Sequence, residues 1–203
     1  MLRPMNRERA NVDARSFAWS LLILFSAGAL ICYCASIAKA GAPTLRERIV
    51  AVAPSLASKR EPAVDAESIA DAIVAIPNLN ADWAALVLTV GGHESAFAER
   101  IIAGDCRAHE CDHGRAWGAY QSHKSLLNQD VWGSPDLQVQ TKEAARALRS
   151  AFYLCGVHRG KLHPNWVART LTAYAGRAAL GCDQEWPGLQ QRVATFKRVR
   201  GRL

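Results

Sequence analysis

From residue 65 to residue 203 apolar side chains recur at three- and four-residue intervals and nowhere alternate at period two, the pattern of packed helices rather than of half-buried strands. Asp65 reads as the N-cap of a first helix, with Ile69, Ile73 and Ile76 along one stripe and Pro77 as its stop. Asn80 caps a second, in which Trp83, Leu86, Val87 and Val90 fall at i, i+3, i+4 and i+7 and make a buried face. A third turns Ala144, Leu148, Ala151, Phe152 and Cys155 inward and Lys142, Arg146 and Arg149 outward, with Gly156 after it. A fourth has Pro164 in its first turn and Val167, Thr170, Leu171 and Tyr174 on one side, and ends near Gly176. The last starts near Pro187 and turns Leu189, Val193 and Phe196 inward. The expectation is one mostly α domain over residues 65–203 without internal repeats. Residues 41–64, Ala-rich, with Pro43, Pro54 and Pro62 and no sustained periodicity, read as a linker to it.

The amino terminus follows another pattern. Arg3, Arg7, Arg9 and Arg15 precede Phe17 to Ala38, which carries no charge and no polar face, so a buried helix of a soluble protein is excluded and the segment is expected to enter a membrane. A spanning helix needs roughly 20 apolar residues and a signal peptide about 7–15, which favours an anchor. Ala38-Lys39-Ala40 before Gly41 fits the small-x-small pattern of signal peptidase, which favours cleavage. Residues 1–40 are therefore a signal peptide or a signal anchor. Either places Gly41 onward outside the cytosol, periplasmic, at the cell surface or secreted.

Charge removes one function class. The 203-residue chain carries a net +7, but residues 41–188 hold 15 basic and 16 acidic side chains, so the basicity lies at the two ends. Nothing marks a basic face for nucleic acid. The basic tail from Arg192 to Arg202 reads as a solvated helix face. Cys106, Cys111, Cys155 and Cys182 remain in the exported part, an even number in a disulfide-permissive compartment. Cys106 with Cys111 and Cys155 with Cys182 is the favoured pairing. Cys106, His109, Cys111 and His113 would put four zinc ligands too close together for a tetrahedral site, so a disulfide-closed loop is the better reading there. The expected chemistry needs no metal and no cofactor.

One carboxylate breaks the helical pattern. Glu94 continues the stripe of Trp83, Val87 and Val90, and an acid on an apolar face is expected to have its pKa raised by desolvation toward the range of a general acid. Capping or salt-bridging at a helix end is the structural alternative for it. Gly91-Gly92 just before it suggests that something approaches the helix backbone closely there. His93, one residue round the helix, is expected to point away. Among the tryptophans, Trp83 and Trp166 fit core positions and Trp117, beside Gly118, is expected in a cleft where it could stack on a sugar, as Trp186 also could.

Glu94-Ser95-Ala96-Phe97 at the end of an apolar helix, Gly118-Ala119-Tyr120-Gln121 some two dozen residues later, and Ala173-Tyr174-Ala175-Gly176 after two further helices resemble the lytic transglycosylases of the soluble-lytic-transglycosylase, goose-lysozyme-like type. The order and rough spacing match over most of residues 80–180. The resemblance implies a lysozyme-like fold and cleavage of the β-1,4 bond from N-acetylmuramic acid to N-acetylglucosamine in peptidoglycan. It makes Glu94 the catalytic acid/base, Ser95 its polar neighbour and a substrate contact, Gln121 a sugar contact and Tyr174 an aromatic close to the carboxylate, with Gly118 and Tyr120 in the same substrate-binding segment. The sequence departs from the family where no Asn follows Tyr174, where Tyr120 stands for an apolar residue or Trp, and in Gly104 to Arg115, which has no counterpart in the family pattern.

With one carboxylate, the nucleophile is the sugar's own C6 hydroxyl and the product a 1,6-anhydro sugar, unlike the two-carboxylate glycosidases. A lysozyme-like hydrolase would need a second acid, for which Asp105 and Asp112 are the candidates, though both read better as surface loop acids. A noncatalytic wall-binding module on the same fold, or an envelope assembly protein, is the alternative to an enzyme. The expected partners are peptidoglycan strands, and the membrane if residues 1–40 are retained, with the domain a monomer.

Overall fold

The computed structural model describes residues 41–107, 111–123 and 132–203, of which Pro43–Leu203 form one unit; the apolar segment Phe17–Ala38, Cys32, Cys34 and His109 lie outside the described residues. Its first helix falls where a linker was expected. Thr44 accepts a hydrogen bond from the Glu47 amide while the Glu47 carboxylate takes the Thr44 amide, a reciprocal cap that starts α1 (Leu45–Val52). Ile49 and Val52 are buried, and a 3₁₀ turn over Ala53–Ser55 sends Ala53 and Leu56 into the same core. The prolines break the periodicity without keeping the stretch out of the fold. Arg46 then ties α1 to α2 (Ala66–Val74) through Glu67 at 2.5 Å and Asp71 at 2.7 Å.

The caps read from the sequence are present. Asp65 accepts from the Ser68 amide at the start of α2, and Asn80 from the Trp83 amide at the start of α3 (Ala81–Glu94). Every residue from Ala84 to Gly91 is buried, so α3 is covered on all sides and runs through the middle of the molecule. A short α4 (Glu99–Ile102) follows, then the hairpin of β1 (Ala116–Trp117) and β2 (Ser122–His123), paired antiparallel. Asp136 caps α5 (Leu137–Ala151), which buries Ala144, Leu148 and Ala151 as expected, with Ala145 beside them. It runs into a π-helical turn over Phe152–Gly156 and a second small hairpin, β3 (Val157–His158) with β4 (Lys161–Leu162). Then come α6 (Trp166–Tyr174) and α7 (Leu189–Arg200).

The domain is mostly α, with four two-residue strands among the described residues. α3 packs against α2, α5 and α7, and each fully buried Leu, Ile or Val around it stabilises the fold by about 1.5–3 kcal/mol. Both expected disulfides are formed: Cys106–Cys111 closes a loop before β1, and Cys155–Cys182 joins the π turn to the connection between α6 and α7. They fit an oxidising compartment outside the cytosol. No helix among the described residues is long and apolar enough to cross a membrane.

Candidate functional site

α3 ends at Glu94, where the backbone is held from two sides. Gly91 takes the edge of the Phe97 ring, and a Cβ placed there would meet Phe97 Cζ at 2.5 Å. At Gly92 a Cβ would meet Leu56 at 2.9 Å. The close approach expected at the glycine pair is therefore made by core side chains. Ala96 and Phe97 take left-handed backbone angles, φ 50° and 53°, which fold Phe97 back under the helix. Ser95 stitches this reversal: its hydroxyl donates to the Gly91 carbonyl and accepts from the Phe97 amide. It is buried and turned into the fold, so the expectation that it touches substrate is corrected to a helix-capping role.

The β1–β2 turn is positioned by a buried amide. Gly118 lies at φ +73°, and a Cβ there would sit 2.3 Å from Gln140 Oε1. Gln140 reaches across from α5, accepts from the Ala119 amide at 2.7 Å and donates to the carbonyls of Ile102 and Ser134. Gly118 thus serves the backbone. Tyr120 points inward, packs edge-on against Phe97 and bonds Thr141 at 2.9 Å, with burial pushing its phenol above the ordinary value. It is a core residue, which corrects its place among the substrate contacts. Gln121, left-handed at φ 47°, turns outward, with its amide on the Gly118 carbonyl and 3.3 Å from Cys111 Sγ.

Glu94, Gln121 and Tyr174 meet on the walls of one open cleft of about 590 Å³. Tyr174 is held there by donating to the Tyr120 carbonyl at 2.9 Å, with Ser122 Oγ 3.4 Å away, and burial raises its phenol. Trp117 is elsewhere: it lines a neighbouring cavity of about 260 Å³ beside the Cys106–Cys111 bridge, with Nε1 on the Ser134 carbonyl. The tryptophan of the main cleft among the described residues is Trp186, whose Nε1 donates to Thr172. Trp83 and Trp166 pack against the core as expected.

Three further charged groups line the cleft. Asp112 lines it from the left-handed turn Cys111–Asp112–His113, φ 52°, 46° and 55°, with His123 Nε2 at 3.7 Å; it is therefore not a remote surface acid. Arg192 pairs with the Glu94 carboxylate, and its guanidinium lies 5.3 Å from the Trp186 ring centre, so the reading of this residue as part of a solvated tail is corrected. Arg177 lies over the same ring at 5.3 Å. The sequence held a signal for Arg192. It stands four residues before Phe196 and seven before Val199, a cation on the buried stripe of α7 as Glu94 is an anion on that of α3, and the two helices pack together. Trp186 and Arg177 come from the loops around α7 and carry no such periodic mark. His93 bonds Thr195 on α7 at 3.0 Å and is not in the cleft.

The cleft thus offers two carboxylates, two guanidiniums, an imidazole, an indole, an amide and a phenol. That set can hydrogen-bond hydroxyls or amides, hold an anion and move a proton. Among the described residues no group of three or more His, Cys, Asp or Glu could hold a metal ion. No known protein family, curated protein or solved structure matches this chain.

Proposed function

We propose that the protein is a lysozyme-like peptidoglycan-cleaving enzyme of the lytic transglycosylase kind, exported to the cell envelope and bound there to glycan strands. The observation that carries this reading is the convergence of Glu94, Gln121 and Tyr174, the outward-facing members of three separated motifs, on one cleft. Glu94 protonates the glycosidic oxygen between N-acetylmuramic acid and N-acetylglucosamine as the bond breaks. It then takes the proton of the sugar's C6 hydroxyl, which attacks C1 and leaves a 1,6-anhydro end. An attacking group already on the substrate needs no second carboxylate and has a large effective concentration. Gln121 gives the sugar a polar contact, and Trp186 lines the cleft beside it.

Asp112 supports a second reading. A carboxylate on the same cleft as Glu94 could activate water, and the product would then be a reducing end, as in a muramidase. Muropeptides released from purified sacculi separate the two. With the first mechanism they end in anhydromuramic acid and Asp112→Asn leaves the product unchanged. Reducing ends that vanish in Asp112→Asn establish the hydrolase. Glu94→Gln should lower cleavage by about 10²–10⁴ while the far-UV spectrum and melting profile stay those of a folded protein. Near-normal cleavage by a folded Glu94→Gln protein removes the assignment, and binding of sacculi without release by the wild type points to a noncatalytic wall-binding protein.

A further inference from the structure

Two guanidiniums stand in the cleft, and the cleavage chemistry uses neither. Both lie 5.3 Å from the centre of the Trp186 ring. An indole face attracts one cation, but two on one ring repel each other, and only one is neutralised. Arg192 has Glu94 as its partner. The guanidinium of Arg177 meets no carboxylate among the described residues and keeps its N–H donors for an outside acceptor. Its place over the ring keeps the guanidinium in the cleft, and a guanidinium presents a fork of N–H donors suited to a bidentate acceptor.

The Arg192–Glu94 pair also blocks the site it belongs to. A carboxylate that must deliver a proton to a bridging oxygen cannot do so while a guanidinium holds its oxygen. Arg192 can leave Glu94 without leaving Trp186 if another anion takes its donors, and Arg177, over the same ring and on the same cleft, offers that anion a second guanidinium.

We propose that Arg177 and Arg192, laid over Trp186, form a binding edge for a carboxylate carried by the substrate, and that this carboxylate draws Arg192 off Glu94 and releases it for catalysis. The second half rests on the glycan-cleaving reading above. Arg177 is then a specificity residue and Arg192 a positioning residue that acts through Glu94. A wall strand carries carboxylates of two origins, the acid ether-linked to the sugar and those of the attached peptide. The chemistry at the arginines is the same for both.

The test uses the wild-type protein and three substrates: peptide-bearing strands, strands stripped of peptide so that the sugar carboxylate is free, and stripped strands with that carboxylate converted to a methylamide. Wild-type kcat/KM should be about tenfold to a hundredfold lower on the amidated strands than on the better carboxylated ones, the worth of a charge-assisted contact. Whichever carboxylated strand is preferred identifies the source. Arg177→Gln should bring this ratio to within about threefold of unity. Arg192→Gln should do the same and also raise the rate on amidated strands, which a merely structural role would not do. Arg177 is exposed, so its variant tests the proposal even if Arg192→Gln does not fold. Equal wild-type rates on carboxylated and amidated strands, or an unchanged ratio in Arg177→Gln, overturn the proposal and leave the enzyme reading standing. If the wild type cuts no strand, that reading falls and tryptophan fluorescence titration with the same strands decides. A preference for carboxylated strands that Arg177→Gln removes upholds the carboxylate site, and equal binding overturns it.

Discussion

The chain before Glu94 and the chain after it are held by different forces. α3 sits among fully buried Leu86, Val87, Leu88 and Val90, and dispersion and burial hold it from every side. Beyond Glu94 the backbone turns left-handed at Ala96, Phe97, Cys111, Asp112, His113 and Gln121, each costing about 1–2 kcal/mol for a residue with a Cβ. That stretch is fixed by Ser95, by the Gln140 amide and by a disulfide. A carboxylate at the junction gains from both: an apolar frame sets its position, and a loop stitched by polar contacts brings Gln121 and Asp112 into the same cleft.

The sharpest way to break this comparison is Gln140→Ala. It strands the Ala119 amide and the Ile102 carbonyl at about 1–3 kcal/mol each, so a loss of about 4 kcal/mol in a denaturant titration is expected. A loss below about 1 kcal/mol would mean that apolar packing holds the loop as well. The two disulfides separate the regions further. Chain-entropy arguments give about 3.5 kcal/mol for Cys155–Cys182, whose ends are 27 positions apart in sequence, and about 2 kcal/mol for Cys106–Cys111, 5 positions apart. Replacing the first pair by Ala should therefore lower stability more, whereas replacing the second should lower wall cleavage more, because Asp112 and Gln121 adjoin it.

Next in size, Gly91→Ala tests the apolar side. Its methyl would collide with the fully buried Phe97 ring, and overpacking of this kind costs about 1–3 kcal/mol. The double variant Gly91→Ala/Phe97→Leu should recover part of that loss if the contact is its cause.

The smallest effect concerns pH. Burial, and then Arg192 and Arg198, hold the His93 imidazole below its ordinary value of 6.5. The unfolded chain therefore takes up this proton before the folded one does. Stability should decline as pH falls below 6.5 toward the folded-state value, and His93→Gln should flatten that limb of the profile. Urea midpoints across that interval would show an unchanged slope if the histidine is not responsible.

Where periodicity is long the sequence was legible: α2, α3, α5, α6 and α7 stand where apolar spacing and the caps Asp65 and Asn80 put them. α1 was missed because eight residues hold only two buried side chains, although Thr44 and Glu47 announce it as a capping box. In the cleft, Glu94 was visible as a charge on a stripe, and the same rule applied to α7 finds Arg192. Ser95 and Tyr120 face inward because left-handed angles after Glu94 and at Gln121 reverse the chain, and short-range spacing does not encode that reversal. Trp186 replaces Trp117 because the indole of Trp117 is occupied by Gly104 and Ser134 beside the smaller cavity, a matter of tertiary contact alone.

The glycine pair at 91 and 92 has a mechanical consequence. Successive residues on a helix point about 100° apart, so Phe97 and Leu56 grip the last turns of α3 from two directions at its narrowest place. The grip works as a key in a shaft. Turning the helix about its axis, the motion that would swing Glu94 out of the cleft, drives backbone into one wedge or the other, so the carboxylate keeps its heading through collective motions that leave both wedges seated.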